Sequence, residues 1–148
     1  MAANLDDVDW AIITQLQQEA RISLSELGRR VSLSPSATTE RVRQLEALGV
    51  ITGYSATVDL TKVGYPVLAV VRLKYPGNRH QPLHRLLAER HEILECLRTT
   101  GDDCYTLKMA ATSMEHLESL VDELAGFGST TTSVVYSRTL PARGPRRP

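Results

Sequence analysis

Apolar residues recur at helical spacing along the first fifty positions, and beyond them the period shifts to that of strands. Val8, Ile12, Ile13 and Leu16 make one stripe, with Asp6 placed to cap it and Asp7 and Asp9 at the positive end of the dipole. A helix is therefore expected from about Asp6 to Glu19, with Trp10 serving packing or a dimer contact. Ser23 and Glu26 stand at capping-box spacing, and Leu24, Leu27 and Val31 follow at helical intervals, which predicts a second helix from about Leu24 to Val31. Ser34 before Pro35 begins a third, since the hydroxyl can cap and the proline's missing N–H costs nothing at the first helical position. Gly49 should end it. Thr38, Val42, Leu45 and Leu48 share its inward face, and Leu33 enters from the turn. Only Ser32, Leu33 and Ser34 separate the second and third helices, the connection of a helix-turn-helix rather than of a loose hairpin.

Past Gly49, Val50, Ile51, Tyr54, Ala56 and Val58 read as an extended segment bending at Gly53, either a short wing or a strand leading outward. The run from Asp59 to Pro66 contains Gly64 and Pro66 close together and marks a hinge. VLAVVRLKY, residues 67 to 75, is a near-continuous apolar run suited to a central strand, ended by Pro76 and Gly77. A helix is expected over Pro82 to Arg90 with Leu83, Leu86 and Leu87 inward, and a strand over Ile93 to Thr100. A turn follows at Gly101-Asp102-Asp103, then a strand over Tyr105 to Ala111, a helix over Met114 to Ala125 and a last strand over Ser129 to Arg138. This β-α-β-β-α-β order predicts a ferredoxin-like antiparallel sheet with both helices on one face. The fold class is α+β, with a helix-turn-helix (winged-helix-like) unit over 1–53, a connecting strand and hinge over 54–66, the βαββαβ domain over 67–139 and a flexible basic tail over 140–148. Strands this apolar are expected to bury the open face of the sheet against a second copy.

With 42% hydrophobic residues the chain can bury a core, and with 5% aromatics that core must be aliphatic. No apolar run reaches the ~18 residues of a membrane span, and the start, MAANLDDVDW, is acidic, so a cytoplasmic protein is expected. Two cysteines, Cys96 and Cys104, are too few for a disulfide scaffold. Net charge is zero, but residues 29 to 43 hold four arginines against one glutamate, and residues 138 to 148 hold four arginines and no acid. Such local patches set the field that a phosphate backbone meets.

On the third helix Ser36, Thr39, Glu40 and Arg43 point away from the inward stripe. Ser34, Ser36 and Thr39 can bond phosphates or base edges, Arg43 a guanine edge or a phosphate, and Glu40 a cytosine amino group. Arg29, Arg30 and Arg41 are expected on backbone phosphates. The partner this implies is double-stranded DNA. His80 and His84 stand four apart, but no third ligand, HExxH or cysteine cluster accompanies them, so no metal is expected and the histidines read as solvated. No phosphate-binding glycine loop and no GxSxG elbow occurs, and neither a cofactor nor a catalytic residue is expected.

The run LDDVDWAIITQLQQEARISLSELGRRVSLSPSATTERVRQLEALGVITGYSATVD, followed by a βαββαβ pattern, resembles the Lrp/AsnC (leucine-responsive, feast/famine) regulators over about residues 5 to 139. The resemblance implies a DNA-binding transcription factor, forming dimers that assemble into tetramers, octamers or larger, controlled by an amino acid or related metabolite bound between subunits. The family's effector loop matches Gly101, Asp102, Asp103, Cys104 and Tyr105, with Cys104 where many members carry the aspartate that receives the effector's ammonium. A neutral thiol supplies no such charge, which leaves Asp102 or Asp103 to substitute. The family's glycine before the last strand matches Gly128, with Ser129, Thr131 and Thr132 beside it. These loop residues also read as plain turn and strand chemistry. The alternative on the same scaffold is a decarboxylase of the sirohaem type.

Overall fold

The computed structural model describes residues 3–148, so the first two residues of the expected 1–53 unit lie outside the described residues. Two compact units form, one from the chain up to Thr57 together with Leu140–Pro148, the other from Val58–Thr139.

In the first unit α1 spans Asp7–Gln18, α2 Leu24–Arg30 and α3 Pro35–Ala47. Each begins where a side chain takes up an orphan backbone N–H. Asp9 N donates to Asp6 Oδ1 at 2.8 Å and Asp6 N donates to Asp9 Oδ2 at 3.1 Å, a reciprocal box built from two aspartates. Ser23 Oγ accepts from Glu26 N at 3.2 Å and Ser34 Oγ from Ala37 N at 3.3 Å. The box expected at Ser23 is only half formed, because the Glu26 carboxylate turns to Arg29 and Arg30 instead. Ile12, Ile13, Leu27, Val42 and Leu45 are the core, and Thr38 is fully buried beside them.

Two expected core residues are not in it: Leu24 is 40% and Leu48 58% exposed. Leu48 caps α3, and Gly49 then takes φ +67°, a left-handed value that glycine adopts without strain. Val50 N and Ile51 N both donate back to Leu45 O, at 3.0 and 3.1 Å, so Val50 and Ile51 cover the core where Leu48 was expected. The segment that follows is exposed and forms neither a wing nor a paired strand within the described residues. No ladder partner for it exists in the chain. The basic tail has no regular secondary structure, and Arg147 donates to the Asp7 carboxylate.

The second unit runs β1 Val67–Lys74, α4 Gln81–Glu89, β2 Ile93–Arg98, β3 Tyr105–Ala111, α5 Met114–Ala125 and β4 Ser129–Val134. The sheet order is β2-β3-β1-β4, antiparallel throughout. β2 stops two residues early because Thr99 joins the turn, its N donating to Cys104 O at 2.9 Å and its Oγ1 to Asp103 O at 2.7 Å. β4 stops at Val134, short of the expected Arg138, because β1 runs out: Ala69 pairs Val134 and Val135 N makes the last bond, to Leu68 O. Ala69, Val71 and Leu73 of β1 and Tyr105, Leu107 and Met109 of β3 share a core with Leu83 of α4 and Leu117, Leu120 and Leu124 of α5. Both helices therefore cover one face.

The open face differs from the apolar surface expected. Register places Arg72 between Thr106 and Thr131, Val70 between Lys108 and Ser133, and Lys74 beside Ser129. Strand alternation had put the apolar residues of VLAVVRLKY mostly on the helix side. No helix among the described residues is long and apolar enough to cross a membrane.

Candidate nucleic-acid interface and effector loop

The turn between α2 and α3 depends on two local features. Ser32 adopts φ +58°, and Leu33 N donates to Gly28 O at 2.8 Å. Gly28 is the second: a Cβ there would lie 2.6 Å from Thr38 Oγ1 and 2.8 Å from Leu33 O, so any side chain would push the two helices apart. Thr38 Oγ1, fully buried, donates to Ser34 O at 2.9 Å and so ties α3 to its own cap. Neither Gly28 nor this role of Thr38 stood out in sequence, although a glycine inside a helix four residues before a turn is a signal of close packing.

Ser36, Glu40 and Arg43 are exposed on the outer face of α3 and Thr39 is half-buried there. Ser34 Oγ and Ser36 Oγ lie 3.2 Å apart, and Thr39 Oγ1 donates to Pro35 O at 2.8 Å. Arg43 has no ion-pair or hydrogen-bond partner among the described residues, whereas the other three arginines do. Arg41 Nη1 donates to Asp6 Oδ2 at 2.7 Å and to Asp9 Oδ1 at 2.9 Å, bolting α3 to the N-cap of α1. Asp9 accepts this charge while 8% exposed. The Asp9 backbone N–H, and then Arg41, hold the Asp6 carboxyl below the usual carboxylate range. Arg29 grips Glu26 with two bonds of 2.8 and 2.7 Å. Arg30 reaches Glu26 at 2.9 Å, Glu19 at 3.1 Å and Gln15 Oε1 at 3.1 Å. Arg29, and then Arg30, bring the Glu26 carboxyl down to about 2. Exposed pairs of this kind exchange one anion for another at little cost.

In the second unit the loop Gly101–Tyr105 closes on the end of β1. Gly101 takes φ +102°, Asp102 Oδ2 lies 3.5 Å from Lys74 Nζ, and Asp103 Oδ2 lies 3.9 Å from Arg72 Nε. A Cβ on Gly128 would meet Lys74 O at 2.1 Å, so glycine lets the approach to β4 press on the same strand end. Ser129 pairs with Lys74 and Thr131 with Arg72. Gly101, Asp102, Asp103, Gly128, Ser129 and Thr131 are thereby gathered around two β1 cations. Thr132 is not gathered with them: it pairs with Val71 on the helix side and lines a groove of about 370 Å³ beside Met114, Leu117 and Val121 of α5. Cys104 turns inward, its thiol 3.7 Å from Tyr75 O and 4.0 Å from Leu73 O.

Tyr105 is 2% exposed, and His80 and His84, expected in solvent, both bond its hydroxyl, at 2.9 and 3.2 Å. Among the described residues no three His, Cys, Asp or Glu side chains are grouped to hold a metal ion.

Residues 5–46 match the model of the AsnC-type helix-turn-helix domain, and residues 68–145, more than half the chain, that of the Lrp/AsnC ligand binding domain. The HTH-type transcriptional regulator LrpC of Bacillus subtilis is 37% identical over 133 residues, 90% of this chain and 92% of LrpC. The solved B. subtilis LrpC superposes with a TM-score of 0.90 at 35% identity, covering 95% of this chain and all of the other. The feast or famine regulatory protein Rv3291c of M. tuberculosis, complexed with L-methionine, superposes at 0.90 with 28% identity, over 97% of this chain and all of that one. The regulator NMB0573 of Neisseria meningitidis, also in an L-Met complex, superposes at 0.88 with 27% identity, over 93% and 94%. These relatives are regulators and not enzymes, and nothing among them favours the decarboxylase alternative. With both halves matched in order along its length, the chain belongs to the Lrp/AsnC family of helix-turn-helix transcriptional regulators.

Proposed function

We propose that α3 enters the major groove of duplex DNA and that Ser36, Thr39, Glu40 and Arg43 meet base edges or adjacent phosphates there. The observation that carries this reading is the contrast on α3: Arg41 is spent on Asp6 and Asp9, while Arg43 is exposed and unpaired among the described residues. Ser34, Arg29 and Arg30 flank the turn and supply phosphate contacts, with Glu26 giving up its arginines to the backbone oxygens. Arg41 contributes mainly by holding α3 in place. One unit of zero net charge binds weakly, so the functional form is a homodimer, joined into tetramers, octamers or larger, whose two copies of α3 reach successive grooves.

The effector is an amino acid or a related metabolite, as the L-methionine complexes of two relatives support. Gly101, Asp102, Asp103, Gly128, Ser129 and Thr131 receive it at the end of β1, completed by a neighbouring subunit, with Cys104 and Tyr105 shaping the loop from beneath and Thr132 reaching the opposite side. Arg72 and Lys74 can take the effector's carboxylate, and Asp102 or Asp103 its ammonium, each trading a partner of 3.5 to 3.9 Å for a charge-assisted bond. The protein acts where its DNA is, in the cytoplasm. By linkage, an effector that changes DNA affinity must change its own affinity by the same factor on DNA.

The test is fluorescence anisotropy with a duplex selected from a randomised library, with and without L-methionine and other amino acids. A selected sequence bound in preference to scrambled duplex, at an affinity that one amino acid changes, is the expected result. Equal binding to both duplexes, unmoved by any amino acid, would overturn the reading.

A further inference from the structure

We infer that Arg98, His80 and His84 are positioning residues for the loop Gly101–Tyr105, joined to it through Tyr105 by a one-directional chain of hydrogen bonds that closes only while both imidazoles are neutral. The inference rests on the reading of that loop as the effector site.

The direction of every bond follows from Arg98. Arg98 ends β2, and its partner across the ladder is Tyr105, the first residue of β3. Its Nη2 lies 3.3 Å from His80 Nε2, and a guanidinium has donors only, so that ring nitrogen accepts. A neutral imidazole with Nε2 accepting carries its hydrogen on Nδ1, which lies 2.9 Å from Tyr105 Oη and donates to it. The hydroxyl then has one hydrogen to give, and His84 Nε2, 3.2 Å away, accepts it. His84 too must therefore carry its hydrogen on Nδ1. The order is Arg98 to His80 to Tyr105 to His84, with no bond free to reverse.

The surroundings hold this order. Tyr105 is 2% exposed, so an unmade bond at its hydroxyl would be costly, and burial pushes the phenol upward and keeps it a donor. Tyr75 sits edge-on to the Tyr105 ring at 6.3 Å and tilted against His80 at 5.3 Å, while its own hydroxyl donates to Arg79 O at 2.6 Å. The imidazoles are stacked with centroids 6.1 Å apart.

A proton added to either ring breaks the chain. On His80 it would go to Nε2, where an N–H would confront the N–H of Arg98 and a second cation would stand beside the first. On His84 it would go to Nε2, where it confronts the Tyr105 O–H. The ionisable groups facing Tyr105 are Arg98 and Cys96 of β2, Cys104 beside it and Tyr75 after β1, none of them a carboxylate that would reward an imidazolium. His80 is also the N-cap of α4, and His84 lies one turn in, so both sit at the helix end that disfavours cations. In neutral solution the chain pins Tyr105 and with it the C-terminal end of the loop. Acidification releases Tyr105 and weakens whatever the loop binds.

The first test needs no effector. Long-range proton–nitrogen correlation spectra of the full chain at about pH 7.5, in which histidine tautomers are distinguished, should show hydrogen on Nδ1 in both His80 and His84, the rings being assigned by single substitutions. Y105F should abolish the preference at His84. Nε2–H rings, or rings indifferent to Y105F, overturn the inference. The second test is calorimetric titration with L-methionine at about pH 7.5 and about pH 5.5. The wild type should bind severalfold more weakly at the lower pH. The double variant H80Q/H84Q, whose amides accept and donate without titrating, should keep the neutral-pH affinity and lose the pH dependence. Y105F should bind weakly at both. An unchanged pH profile in the double variant overturns the positioning role, even with the expected tautomers. Expected tautomers with no L-methionine binding at either pH would instead show that the loop is not an amino-acid site, and so overturn the positioning role and the effector reading together while the chain itself stands.

Discussion

Arg41 and Arg43 stand two residues apart on one helix and do different work. Composition could not separate them, because the partners of Arg41 are Asp6 and Asp9, 35 and 32 residues away in sequence. What adjacency does encode was legible: Asp6, Ser23 and Ser34 cap the helices they were expected to cap, since a cap needs only its neighbours. The Glu26 capping role failed for a reason of the same range, since Arg29 and Arg30 compete for its carboxylate at i+3 and i+4. That competition has a pH consequence. The folded-state value of Glu26 lies near 2 against an ordinary 4.5, so its contribution to stability is complete above 4.5 and is lost as pH falls toward about 2. Across that window the wild type should lose thermal stability faster than E26Q, read by circular dichroism at a series of pH values. Parallel loss in the two proteins would remove the Glu26 pairs from the account.

At the scale of elements, period and punctuation found every helix and strand of the second unit, and β3 and α5 at their observed bounds. What periodicity could not supply was where a partner ends. β4 was expected four residues longer because its own residues favour extension, and it stops where β1 has no more to pair. Similarly, Leu48 continues the inward stripe of α3 on paper, but Gly49 turns the chain and Val50 and Ile51 take the place. Urea unfolding can test this. Leu45, 1% exposed, should cost ~2–5 kcal/mol when changed to alanine, while Leu48→Ala should stay within ~0.5 kcal/mol of wild type. Equal losses at the two positions would contradict the observed seating of α3.

For the whole molecule, order along the chain carried the architecture: a three-helix unit with a three-residue turn, then βαββαβ, leaves few topologies open. The apolar open face did not survive, because one strand's hydrophobic total says nothing about how it divides between faces until the register is known. The candidate effector residues were legible only through resemblance, and the His80–Tyr105–His84 chain not at all, since His80 and Tyr105 lie 25 positions apart. What unites the molecule functionally is a claim about one side chain. The most direct measurement of it is binding of wild type, R43A and R41A to a selected duplex and its scrambled counterpart by anisotropy, alongside their melting temperatures. R43A should lose ~1–3 kcal/mol of specific binding and relax its preference while melting as the wild type does; R41A should melt lower. R43A binding the selected duplex with unchanged affinity and preference would contradict the account.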